Sequence, residues 1–152
     1  MAKWLIKSEP DSYSIDDLQR DKKTRWDGVR NYQARNYLKA MAVGDELLFY
    51  HSSCDPAGVV GLAKVTKRAA PEEAQFDRSS HYYDPDSPKD APRWFAPEIG
   101  YVRSFRAIVP LAALRANSAL VDLVLLKRGS RLSVHPVSDK EFATILKLAG
   151  EK

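Results

Sequence analysis

The sequence predicts an α+β domain, a small and mostly antiparallel barrel of strands with helices around it. Three observations carry that reading. Several strand-like segments lie apart in the chain, interrupted by short helical ones, without the βαβα alternation that builds a parallel sheet. The length of 152 residues fits one domain at roughly 100–200 residues per domain. Residues 1–152 are therefore expected to form a single unit. The composition, 44% hydrophobic and 29% charged, is that of a globular chain and argues against disorder.

Each element has a local cause. Lys3 to Lys7 (Lys-Trp-Leu-Ile-Lys) reads as a short strand stopped by Pro10. Ser14, with Asp17 three residues later, is the start signal of a short helix. A better helix begins at Asn31, where Ala34, Tyr37, Leu38 and Met41 make one apolar stripe. Gly44-Asp45 ends it and turns into a strand over 46–51, whose hairpin partner runs over 59–66. Residues 69–98 hold five of the nine prolines and read as a long irregular loop, a kind that in compact domains is functional or mobile. Strand character returns over 99–109, followed by two helical pieces over 111–116 and 118–126. A last strand over 131–135 is expected to stop at Pro136. The C-terminal helix is framed by Ser138 and Glu141, buries Phe142, Ile145, Leu146 and Ala149, and closes at Gly150.

The same sequence excludes whole classes of chemistry. It has no phosphate-binding glycine loop, no nucleophile elbow, no paired cysteines and no His-Glu-x-x-His. His51, His81 and His135 lack ligand spacing, and Cys54 is the one cysteine, so neither a metal site nor a cofactor is expected. The charged N-terminus is not a signal peptide, and no apolar run approaches the roughly 18 residues of a membrane span. The expectation is a monomer inside the cell. In a bacterium that is the cytoplasm, including the nucleoid; in a eukaryote it is the nucleus.

Charge is placed unevenly. Between residues 20 and 39 stand seven basic residues against two acidic ones, and Lys127, Arg128 and Arg131 follow late. Such polarity suits a phosphate backbone on one face, or simply a solvated surface. Beside it lies a dense run of aromatic and amide residues, Trp-Asp-Gly-Val-Arg-Asn-Tyr-Gln-Ala-Arg-Asn at 26–36. Trp26, just before Asp27-Gly28, is placed at a turn, where its ring either faces a cleft and stacks on a nucleobase or plugs the core. Asn31 either reads a base or only caps the helix.

These segments resemble a known family. Lys-Ser-Glu-Pro (7–10), the eleven-residue run at 26–36, Phe-Tyr-His-Ser (49–52) and Gly-Ser-Arg-Leu-Ser-Val (129–134) are similar, in that order, to the signature segments of the EVE domain. The resemblance implies a PUA-like fold, a curved, mainly antiparallel pseudo-barrel sheet with peripheral helices. It also extends to the YTH modified-base readers, which carry a Lys-Ser pair like Lys7-Ser8 and a cage tryptophan like Trp26. By that likeness Lys7, Ser8 and Glu9 floor a pocket walled by Trp26. The second cage aromatic stays open among Tyr82, Tyr83 and Trp94. Glu9 stands where the YTH module has an amide. A carboxylate there would accept from the exocyclic amine of a flipped cytosine derivative, or merely cap the turn before Pro10.

The expected function is thus a non-catalytic reader of a modified base in DNA or RNA. Trp26 stacks, Ser8, Glu9, Asn31 and Tyr32 meet the base, and His51 and Ser52 line the same cleft, although His51 reads equally as a core histidine. Arg30, Arg35 and Arg131 hold phosphates. The alternative is a small amidohydrolase on a modified cytidine, as in the similar ASCH domains, with Lys7, Ser8 and Glu9 as base, nucleophile and proton shuttle. Strand alternation opposes it, because neighbours in a regular strand point to opposite faces. A protein-interaction module with an incidental basic face is the third class.

Overall fold

The computed structural model describes residues 1–151. Six strands, β1 (Lys3–Ser8), β2 (Lys23–Arg25), β3 (Glu46–His51), β4 (Gly58–Pro71), β5 (Phe95–Pro110) and β6 (Val134–Val137), form one sheet in the order β2-β5-β4-β3-β1-β6. Four of its five pairings are antiparallel, and β1 runs parallel to β3. The sheet does not close into a barrel: β2 and β6 are its two edges. Its register shifts once between β3 and β4 and repeatedly between β4 and β5. Such bulges bend and twist the strands that contain them.

The central strands are buried on both faces, which explains their unbroken apolar runs. Alternate residues go to opposite sides. Trp4, Ile6, Leu47, Phe49, Ala63 and Val65 join Ile15 and Leu18 of α1 (Ile15–Asp21) and Ala34 and Leu38 of α2 (Tyr32–Ala40). Leu5, Leu48, Tyr50 and Leu62 join Leu114 of α3 (Leu111–Ala116) and Phe142 and Ile145 of α4 (Asp139–Leu148). The sheet is therefore the middle layer of three.

Helix ends follow the capping signals. Ser14 Oγ accepts from the Asp17 amide at 3.1 Å, and the Asp17 carboxylate accepts from the Ser14 amide at 2.9 Å. Ser138 and Glu141 repeat this reciprocal pair at α4, and Gly150, at φ +74°, ends the helix with its amide on the Lys147 carbonyl at 3.0 Å.

Three expectations shift. Strands β4 and β5 reach further into the proline-rich stretch, where Ala70 pairs with Ala96 and Pro71 with Phe95. The remaining loop is pinned by buried Gln75, whose amide donates to the carbonyls of Glu72 and Trp94 at 2.7 and 2.8 Å and accepts from Ser87 Oγ at 2.6 Å. Pro136 does not stop the last strand but lies within β6, an edge strand that pairs only with β1, so its missing N–H faces outward. Residues 118–126 form two single 3-10 turns, Ser118–Leu120 and Val124–Leu126, consistent with the weak helix formers Val121 and Asp122 between them.

Candidate nucleic-acid interface

A cavity of about 450 Å³ opens where the ends of β1 and β2 meet the connection to α2. Lys7, Ser8 and Glu9 line it from the end of β1, and Ser133 lines it beside them. Lys7 is fixed at the backbone, its amide donating to the Ser133 carbonyl at 2.9 Å. β1 ends at Ser8, so strand alternation does not govern Glu9, while Lys7 and Ser8, neighbours at the end of the strand, both line the cavity as well. The Ser8 hydroxyl donates to the Tyr13 carbonyl oxygen.

Trp26 continues the pairing of β2, its amide donating to the Pro97 carbonyl at 2.8 Å. Its ring is half-buried, edge-on to Phe49 at 5.6 Å and to Tyr13 at 6.2 Å, and it lines the cavity. Gly28 then turns the chain at φ +82°. That glycine is needed twice over: a side chain disfavours this φ, and a Cβ here would lie 2.4 Å from Cζ of Tyr82. Of the three aromatic residues left open by the sequence, Tyr82 is the one lining the cavity.

A clasp holds that wall. Glu72, 2% exposed, pairs with the Arg30 guanidinium and accepts from the Gly28 amide at 3.0 Å. Arg30 also donates to the carbonyls of Val29 and Tyr82, and its guanidinium lies 5.6 Å from the Tyr82 ring and 5.0 Å from that of Trp94. One buried carboxylate thus ties the 26–30 turn to the proline-rich loop. Asp27 lies between this cavity and a second one of about 390 Å³ that it shares with Arg25, Pro71 and Glu73. Burial first, and then the negative charge of Glu72, hold the Asp27 carboxyl above the usual range. Burial lowers the pKa of Lys7.

The structure brings Ser8, Glu9, Trp26 and Arg30 to the cavity. The other expected residues lie outside its lining. Asn31 caps α2, its side chain accepting from the Ala34 amide at 2.9 Å. His51 Nε2 accepts from the Ile15 amide at 3.1 Å, so this ring supports the start of α1. The Ser52 amide donates to the Ser8 carbonyl at 3.0 Å. Tyr32 stacks on Trp94 at 5.1 Å and 15° between planes, and the Arg35 guanidinium covers it at 4.8 Å while donating to the Arg93 carbonyl. Arg131 is exposed. Sequence reasoning missed Glu72, an ordinary acidic residue until the fold buries it, and Asp27, an exposed carboxylate that the turn brings to the cavity lining. The Asp-Gly step was the one signal near Asp27.

Among the described residues no group of three or more His, Cys, Asp or Glu is placed to hold a metal ion, and no helix is long and apolar enough to cross a membrane.

Comparison with known proteins places these features in a family. The family model described as "EVE domain" matches residues 2–148. Human thymocyte nuclear protein 1 is 42% identical over 164 residues, covering 95% of this chain and 72% of the relative. A solved structure from Pseudomonas syringae is 50% identical, with a TM-score of 0.95 and coverage of 97% of this chain and 99% of that one. The human THYN1 protein, solved in complex with 5-methylcytosine-containing DNA, superposes at a TM-score of 0.94 with 39% identity over 100% of this chain and 99% of that one. The α+β, PUA-like architecture expected from the resemblance is the one observed, and with the match running from residue 2 to residue 148 the chain belongs to the EVE domain family.

Proposed function

We propose that this chain binds DNA carrying a modified base, a methylated cytosine foremost, and receives that base, turned out of the duplex, in the cavity between Trp26 and Tyr82. The observation that carries the reading is the cavity itself. Its volume of about 450 Å³ falls within the roughly 300–1,000 Å³ of small-molecule sites. Three aromatic residues, Tyr13, Trp26 and Tyr82, line it, with hydroxyls and carboxylates beside them, which is the equipment for stacking on a base and pairing with its edge. The DNA complex of the human relative supports the choice of 5-methylcytosine as the first ligand to try. Extruding a base costs a few kcal/mol, which stacking and edge hydrogen bonds offset.

Trp26→Ala tests this directly. It should lower affinity for a 5-methylcytosine duplex roughly tenfold to hundredfold, the equivalent of about 1–3 kcal/mol of base stacking. Thermal melting run alongside should show a folded protein, because the ring borders open space and is only half-buried. Unchanged binding by a folded variant rejects the reading.

One observation favours a second reading, hydrolysis of a modified cytidine: Lys7, Ser8 and Glu9 share the cavity. Against it, the Ser8 proton is engaged by the Tyr13 carbonyl rather than by a base. Incubating the chain with N4-acylated cytidine and following release of the acid separates the two.

A further inference from the structure

We propose that Lys7, set in the same cavity as the carboxylates of Glu9 and Asp27 yet paired with neither, is the group by which this chain tells a methylated cytosine from thymine. The inference rests on the base-binding reading of the cavity and adds a specificity residue to it.

The chemical problem is sharper than finding room for a methyl group. Thymine carries the same methyl at C5, so neither stacking on Trp26 nor space for that methyl separates the two bases. Only the edge differs. Cytosine offers acceptors at O2 and N3 and a donor at the N4 amine, whereas thymine offers a donor at N3 and an acceptor at O4. A site that rejects thymine therefore needs a donor for N3 and O2 and an acceptor for the amine, held apart so that they do not satisfy each other. Thymine then meets donor with donor and carbonyl with carboxylate. Buried polar groups left unpaired in this way are how a site rejects an analogue of the same shape.

Lys7 is the donor that fits. Among the described residues its side chain makes neither an ion pair nor a hydrogen bond. It is half-buried, and burial lowers its pKa, so less water competes for its amine. The other basic residues at the cavity do not meet the requirement. Arg30 is bound to Glu72 and to two carbonyls, and Arg25 is exposed. Behind Lys7, His135 is fully buried and its charge coupling to Lys7 is repulsive, so it supplies no counter-anion. Backbone bonding anchors the stem of Lys7: its amide is held by Ser133, and it lies in register with Tyr50 of β3. Glu9 and Asp27 are the acceptors on the same cavity.

The test is a set of otherwise identical duplexes with 5-methylcytosine, cytosine or thymine opposite an abasic site, so that all three bases cost about the same to extrude. Affinities are read by fluorescence anisotropy at one fixed salt concentration. Wild type should favour 5-methylcytosine over thymine by roughly tenfold or more, the scale of one good edge contact. Lys7→Met should lose most of that ratio by weakening 5-methylcytosine while leaving thymine unchanged or improved. Lys7→Arg, which keeps donors, should retain part of it. Asp27→Asn, in which the amide donates to O4, should narrow the ratio from the thymine side, and serves if Lys7→Met does not fold. If Lys7→Met weakens both bases equally and leaves the ratio intact, Lys7 is not the discriminator, although the base-binding reading stands. If wild type prefers 5-methylcytosine to cytosine but not to thymine, the edge is not read and the inference fails. If wild type does not distinguish 5-methylcytosine from cytosine, the parent reading fails with it.

Discussion

At the scale of single residues, the cavity depends on side chains whose identity the sequence displays but whose role only contact reveals. Gly28 is the clearest case. Its positive φ alone would cost an alanine roughly 1–2 kcal/mol, and the added Cβ would strike the Tyr82 ring, the movable end of a side chain. Gly28→Ala should therefore lower stability modestly and swing Tyr82 out of the wall. DNA affinity should fall more than the melting temperature suggests, which paired melting and titration would check. The Asp-Gly step announced a turn, and Trp26 beside it was legible for the same reason. Glu72 was not legible. A glutamate among prolines and alanines looks solvated, and its burial follows from the pairing of Pro71 with Phe95 and from the bond it accepts from Gly28, both set by residues distant in sequence. His51 shows the reverse: its ring nitrogen serves the first amide of α1, a partner 36 residues earlier that strand periodicity does not reveal.

At the scale of elements, the proline-rich loop is the part that turned out most ordered relative to its composition. Prolines and Asp-Ser clusters advertised irregular backbone, which is correct. They did not advertise that Gln75 and Trp94 would knit its two ends together. Asp84 completes that knot by accepting from the Trp94 indole at 2.7 Å, and this hydrogen bond holds its carboxyl below the usual range. A depressed carboxyl contributes stability above the unfolded pKa near 3.9 and loses it as pH falls through the folded value. The Trp94 indole N–H resonance should therefore shift and broaden below about pH 4, before the rest of the fold gives way, and Asp84→Asn should abolish that step. Helices were read best, because Ser14 and Ser138 accept from amides three positions on and Gly150 donates to a carbonyl three positions back. Strand ends were read less well, since β4 and β5 are extended by each other and not by their own propensity.

At the scale of the molecule, two titrations act on the whole fold. His135 and His51 both have pKa values lowered, by burial first in each case. A histidine depressed on folding adds stability that is present above its unfolded pKa of about 6.5 and is lost as pH falls through the folded value. Melting temperature should thus drop from pH 7.5 to pH 5.5, and His51→Asn should flatten part of that slope; an unchanged slope would exclude His51 as a contributor. Charge acts over the surface as well. Arg30 is committed to Glu72, whereas Arg131 is exposed. Arg131→Ala should reduce the slope of log K against log salt by about one if it meets a phosphate. Neither the open edges of the sheet nor its parallel β1–β3 pair was legible, because both depend on pairings between strands that are not neighbours in the chain.

The pairing of Lys3 with Val137 bears on how the protein is born. A ribosome releases β1 before every other strand of this sheet and β6 after them all, so the first strand waits, apolar and half-paired, until the last of them emerges. The floor beneath the cavity, Lys7 with its amide on Ser133, is set only after nearly every other strand and helix has left the exit tunnel. Nascent chains stalled before Val134 should accordingly be protease-sensitive at their N-terminus and unable to retain DNA, while chains stalled with β6 outside the tunnel should gain both protections in one step.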